Sequence, residues 1–131
     1  KSSEKQIKLE YSHNFDFIQG DRELLKCLMV NLTENAIKAC NQGGYIKLVA
    51  FQEDSKKVLA VKDNGRGMTE EQMSHITEAF YRVDKSRSRS EGGVGLGLSL
   101  CDQIASRHNA TLSFSSQPGL GTTAKITFTT L

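Results

Sequence analysis

Residues 57–67 read Lys57-Val58-Leu59-Ala60-Val61-Lys62-Asp63-Asn64-Gly65-Arg66-Gly67. The segment opens with the composition of a strand and breaks on Asn-Gly, the strongest of the turn dipeptides. Upstream, Tyr45 to Gln52 is a second run rich in Val, Leu and Ile, and only the polar Glu53-Asp54-Ser55 separates the two. The pair reads as an antiparallel hairpin. Asp63 is the anomaly. It shares the parity of Leu59 and Val61, so the alternation of a strand aims it toward the core side, where a carboxylate is costly unless a donor meets it. A purine's exocyclic amine is such a donor, and Gly65 and Gly67 would let its ring come close to the backbone. A plain tight turn accounts for the glycines but leaves Asp63 unexplained. The loop does not carry the D-x-D-x-D-G pattern of a calcium site.

Toward the N-terminus, Asp21 is placed to cap a helix running to about Cys40, closed by Asn41 and Gly43-Gly44. At about 100° per residue, Leu25, Leu28, Met29, Leu32 and Ala36 form its buried stripe. Asn31, Glu34, Asn35 and Lys38 share an adjacent polar arc. Asparagine is a mediocre helix former, and two of them at i and i+4 offer amide oxygens to one cation, with Lys38 in reach of an anion further along. The bland alternative is a solvated face with a Glu34–Lys38 pair. Earlier still, residues 6–11 alternate as a strand would, and Phe15 to Ile18 forms a second short apolar segment.

Beyond residue 67, Thr69 and Gln72 suggest a capped short helix from Glu70 to about Thr77. Arg82, Lys85, Arg87 and Arg89, interleaved with serines, carry no periodicity and read as a basic loop. Gly92-Gly93-Val94-Gly95-Leu96-Gly97 then opens a helix through to about Arg107, and free glycine amides at a helix start suit phosphate. The motif matches neither GxxxxGK[ST] nor a Rossmann fingerprint, since position 98 is leucine. Thr111 to Ser115 and Thr122 to Thr129 close the chain as two strands around Pro118-Gly119. The order β-β-α-β-β-α-loop-α-β-β predicts a two-layer α/β sandwich, helices gathered on one side of a mostly antiparallel sheet, rather than a doubly wound fold.

Composition narrows the partners. A length of 131 residues suits one domain with its own core. A net charge of +2 is too small to argue for nucleic acid or membrane. Three scattered cysteines, Cys27, Cys40 and Cys101, make a disulfide framework or zinc site a poor expectation and favour a reducing cytosol. No apolar run approaches the roughly 20 residues of a membrane span. The chain opens on Lys1 rather than Met, and the expectation is a piece of a longer protein.

Taken in order, the segments resemble the boxes of sensor histidine kinases. Asn31 to Lys38 resembles the N box, Asp63 to Met68 the G1 box and Glu78 to Ser86 the F box. Gly93 to Leu100 resembles the G2 box, and Gly119 to Thr122 the small closing glycine motif. The resemblance implies the Bergerat fold, a mixed sheet with three helices on one face and an ATP lid, shared with gyrase, mismatch-repair and heat-shock chaperone ATPases. It implies ATP and Mg²⁺ as ligands. Asn35 with Asn31 would hold the metal, Lys38 would touch the phosphates, and Asp63 would accept the adenine amine. Gly65, Gly67, Met68, Phe80 and Thr122 would adjoin the nucleotide, and Arg82 would approach the γ-phosphate. Gly93, Val94, Gly95, Leu96 and Gly97 would wrap the phosphate tail. Asn31, Glu34, Asn35, Lys38 and Arg82 are the candidate catalytic set.

Two departures from the family stand out. Ala39 occupies a position where many members carry an aromatic or histidine. Hydrolytic relatives place a glutamate where this chain has Asn31, which cannot take a proton from water. Transfer to another nucleophile therefore fits better than hydrolysis, because phosphoryl transfer rests mainly on positioning and charge neutralisation. None of His13, His75 and His108 has the context of a phosphoacceptor, and surface or capping roles are expected for them. The implied partner is a histidine-bearing dimerisation domain of the same parent kinase, with a response regulator downstream and no nucleic acid. A cytoplasmic setting is expected, any membrane anchor lying in the rest of the parent. On the same fold, a protein serine kinase of the anti-sigma-factor type or a non-catalytic ATP-sensing module is the alternative, disfavoured by the F box and by the intact Asn35, Lys38 and Arg82.

Overall fold

The computed structural model describes residues 7–13, 20–41, 43–76 and 97–129. The candidate residues Phe80, Arg82, Gly93, Val94, Gly95 and Leu96 lie outside that set, as do the basic loop and the Phe15–Ile18 segment. Eight elements are described. They are β1 (Lys8–His13), α1 (Arg22–Ala39), β2 (Tyr45–Glu53), β3 (Lys56–Asp63), α2 (Glu70–His75), α3 (Gly97–Arg107), β4 (Ala110–Gln117) and β5 (Gly121–Thr129).

The strands form one sheet in the order β1-β2-β3-β5-β4. β2–β3, β3–β5 and β4–β5 pair antiparallel. β1 instead runs parallel to β2, Leu9 beside Ile46 and Tyr11 beside Leu48, with α1 as the intervening crossover. The expected hairpin is present with Asp54 at its turn, where φ is +56°.

The register fixes which face each residue takes. Ile46, Val61, Ala124 and Ile126 stand on one face with Asp63 and Thr122, since Val61 pairs with Ala124 and Asp63 with Thr122. These apolar residues pack with Leu28, Leu32 and Ala36 of α1 and Cys101, Ile104 and Ala105 of α3 in a single core. The α1 stripe is as read from the sequence, with Leu25, Leu28, Leu32 and Ala36 buried and Met29 partly so.

Both helix starts are chemically specified. Asp21 Oδ1 accepts the N–H groups of Glu23 and Leu24 at 3.0 Å, satisfying two orphan donors of α1. Thr69 and Gln72 form a reciprocal capping box at α2. The far end of α1 is closed by another segment: the Arg66 N–H donates to the Ala39 carbonyl at 3.1 Å. No helix among the described residues is long and apolar enough to cross a membrane.

Candidate functional site

On the helix-covered face, the C-terminal half of α1 and the ends of β3 and β5 enclose a cleft of about 570 Å³, its open mouth included. Asn35, Asp63, Met68 and Thr122 line it, together with the apolar Leu32, Ile76, Leu98 and Phe114. That is the usual character of a small-molecule site, largely apolar with a few converging polar groups.

Asp63 is only 5% exposed, as the strand's parity required. Its Oδ1 accepts the Gly65 N–H at 2.7 Å. Burial raises its pKa above the ordinary 3.8, against the opposing pull of the Gly65 and Thr122 backbone amides and the charge of Arg66. A buried carboxylate at the end of a cleft is a group prepared to accept a donor.

The two asparagines on α1 are oriented by the helix itself. Asn31 Nδ2 donates to the Cys27 carbonyl at 2.9 Å, and Asn35 Nδ2 donates to the Asn31 carbonyl at 3.0 Å. A carbonyl can only accept, so each amide must turn its nitrogen to the helix and leave its oxygen for another partner. The arrangement repeats one turn apart, which sets both oxygens along the same side of α1. Asn35 lines the cleft and Asn31 lies a turn behind it. Lys38 is half-buried near the end of α1 and Glu34 is exposed, and neither is part of the cleft wall. Among the described residues no cluster of three or more His, Cys, Asp or Glu side chains is placed to hold a metal.

The glycines of the Asp63–Gly67 loop are also required by close backbone approach. A Cβ on Gly65 would stand 2.4 Å from the Ala39 carbonyl oxygen, and one on Gly67 would stand 1.9 Å from the Gln117 carbonyl oxygen. What occupies the space is the protein's own backbone. Gly67 lines the cleft and Gly65 does not, and both let the loop dock on α1 and on the β4–β5 turn.

That turn, Gln117-Pro118-Gly119-Leu120, has the Pro-Gly pattern of a type II turn, with Gly119 at φ +80° and Leu120 N–H on the Gln117 carbonyl at 3.0 Å. The Gly119 N–H donates to the Arg66 carbonyl at 2.7 Å. A Cβ on Gly121 would meet the Asp63 carbonyl oxygen at 2.1 Å. Loop and turn are thus interlocked.

Ser116 sits at the centre of this contact and was missed by sequence reasoning. Its Oγ receives the Met68 N–H at 2.8 Å and lies 2.9 Å from the Gly121 carbonyl oxygen and 2.7 Å from Thr122 Oγ1. A serine among the other serines of β4 gave no signal, because its partner Met68 is 48 residues away. Gly97 is the first residue of α3, and the next, Leu98, lines the cleft, so the glycine motif does lead into a helix beginning at the site. His108 has the expected capping role. Its Nε2 accepts the Asp21 N–H at 2.9 Å and Nδ1 bonds the Ile104 carbonyl at 2.9 Å. His13 lies on β1 and His75 in the last turn of α2.

Known proteins share this architecture. The MprB sensor histidine kinase from mycobacteria superimposes with a TM-score of 0.85 at 26% identity, over 98% of this chain and 87% of that one. Sensor histidine kinase YkoH of Bacillus subtilis (strain 168) is 38% identical over 125 residues, which is 95% of this chain and 27% of that protein. ArlS of Staphylococcus aureus (strain USA300), a signal transduction histidine-protein kinase, is 35% identical over 130 residues, 95% of this chain and 29% of its own length. The chain therefore spans under a third of the length of these curated relatives. Residues 20–131 match the model of the histidine kinase-, DNA gyrase B- and HSP90-like ATPase family, and with the cleft, its buried Asp63 and the shared fold, they place this chain in that family.

Proposed function

We propose that this domain binds Mg-ATP in the cleft and delivers the γ-phosphoryl group to a histidine on a separate dimerisation domain of its parent sensor kinase. The observation that carries the reading is the joint placement of Asp63 and Asn35 on one cleft. A buried carboxylate at the end of β3 would accept an adenine amine, and an amide oxygen freed by back-bonding lies on α1 in the same cleft.

Asp63 would accept from the base, with Met68, Thr122 and the apolar wall around the ring. Asn35 and Asn31 would present oxygens to Mg²⁺. Magnesium is commonly held by few protein groups plus substrate phosphates, so the lack of an acidic cluster among the described residues suits it. Bound there, the metal would neutralise charge developing on the phosphates. Lys38 would add a cation, and the positive end of α3 begins at the cleft edge. Arg82 and Gly93 to Leu96, with Phe80, extend the proposal from the sequence alone. The relatives are sensor kinases by name, which supports the phosphoacceptor and response-regulator partners.

Asn31 has no carboxylate with which to activate water, so phosphate should pass to histidine with little hydrolysis. Incubating the domain with Mg-ATP and the parent's histidine-bearing domain should yield an acid-labile, base-stable phosphoprotein, and omitting magnesium should abolish it. Fast release of inorganic phosphate with no labelled protein would overturn the reading.

A further inference from the structure

Strand β1 pairs with β2 on one side, and among the described residues no strand meets its other side. The Lys8 N–H donates to the Gly44 carbonyl, on the β2 side, at 2.9 Å. In a parallel pair a residue turns both backbone groups toward one neighbour, and the next residue turns them the opposite way. Lys8, Glu10 and Ser12 therefore serve β2, while Ile7, Leu9 and Tyr11 aim their N–H and C=O groups outward. The side chains of these three share the helix-covered face, since Leu9 lies beside Ile46 and Tyr11 beside Leu48. Leu9 is 60% and Tyr11 78% exposed. On the other face Lys8 and Glu10 pair at 3.1 Å with much of both side chains still in solvent. The strand has neither a proline nor a break in register, two of the devices that keep an open edge from pairing.

We infer that β1 is a self-association edge whose occupant is β1 of a second copy of this chain, antiparallel about a two-fold axis through Leu9. The sequence around Leu9 is self-complementary. In that register Leu9 faces its own counterpart, Ile7 faces the second copy's Tyr11, and each Lys8 faces the second copy's Glu10. The outward backbone groups then form hydrogen-bonded pairs, two bonds to a pair, and the two sheets join into one. Charge decides against the neighbouring registers. Centring the axis on Lys8 or on Glu10 also sets apolar side chains together, but it opposes Lys8 to Lys8 or Glu10 to Glu10. An axis between residues sets apolar against polar. Exposed ion pairs add little affinity, so these charges choose the register and the partner more than they strengthen the contact. No β1 residue lines the cleft, so both clefts stay open whatever they bind.

Sedimentation of the 131-residue chain over rising concentration should show a monomer–dimer equilibrium. Lys8→Glu and Glu10→Lys each oppose like charges across the axis and should weaken the dimer by about tenfold or more. Mixed in equal amounts, the two variants should associate with each other, because every charge then meets its opposite. The double exchange, Lys8→Glu with Glu10→Lys, should restore parental association. Both positions are exposed, so circular dichroism and nucleotide affinity should match the parent throughout. A chain that stays monomeric at every concentration would overturn the inference, as would a dimer indifferent to both single variants. In the full parent kinase, a benzophenone amino acid at position 9 should crosslink to β1 of a second copy. Crosslinking instead to another segment of the parent, or to a different protein, would give the edge to that occupant and overturn the inference equally.

Discussion

Asp63 is held as a carboxyl in a place that favours its neutral form. Because burial raises its pKa above the ordinary value of 3.8, the protonated group stabilises the fold. That contribution is complete below 3.8 and is lost as pH rises through the folded value. Ionising Asp63 therefore costs the ligand-free fold, and a donor supplied by a ligand would offset that cost. Asp63→Asn keeps an oxygen for the Gly65 N–H and removes the charge, so its melting temperature at pH 7 should equal or exceed the parent's. Its ATP affinity should fall by 1.5–3 kcal/mol, or about 10- to 150-fold, the range for a hydrogen bond to a charged group. Parental affinity should decline as pH is lowered through the folded pKa, and the variant should be flat across that window. A melt that drops while ATP binding stands would reverse the assignment. Cysteine chemistry gives a second residue-scale test. Cys101 is fully buried, and desolvation first, then Cys27 and Asp102, push its thiol up to about 12. Alkylation of the native protein followed by mass spectrometry should label the half-exposed Cys27 and spare Cys101 until the domain unfolds. Asp63 was legible in the sequence because strand parity is a local property. The bond from Ser116 to Met68 was not, since nothing local joins residues 48 apart.

Elements show the same division. α1 was readable almost to the residue, its Asp21 cap and its apolar stripe being written within one segment. The Asn64-Gly65 turn was readable as a turn, but the docking of its glycines was not, because the neighbouring backbone, Ala39 before it and Gln117 after it, is brought there only by the fold. The interlock of loop and hairpin predicts a ranking among glycines with positive φ. Gly119→Ala meets nothing within 4 Å and should cost only the left-handed backbone penalty, about 1–2 kcal/mol. Gly67→Ala and Gly121→Ala add a collision with backbone oxygen that cannot rotate away, and should cost about 2–5 kcal/mol. Urea denaturation of the three variants measures the order directly. If Gly121→Ala is no worse than Gly119→Ala, the interlock has no energetic weight.

At the scale of the molecule, the sheet is built from two kinds of connection. β2–β3 and β4–β5 are hairpins closed by short turns, while β1 reaches β2 only across the whole of α1. The antiparallel majority was predicted from alternation and turns, but no local signal marks β1 as parallel, because pairing direction is settled by the crossover. His108 ties the end of α3 to the start of α1 through the Asp21 N–H, across 87 residues. His108→Ala should therefore lower stability by about 1–2 kcal/mol in chemical denaturation while ATP affinity stays near the parental value, since neither bond touches the cleft. The edge position of β1 bears on the order of assembly. Its six residues are all exposed, and its pairing closes a long loop whose entropy must be met before any contact repays it. The hairpins and the α1–α3 core should form early, β1 docking last and leaving first. In a native-state hydrogen-exchange series the amides of Lys8 to His13 should open by a fluctuation far smaller than global unfolding, so the domain can shed its first strand while Asn35, Asp63 and Thr122 keep their places.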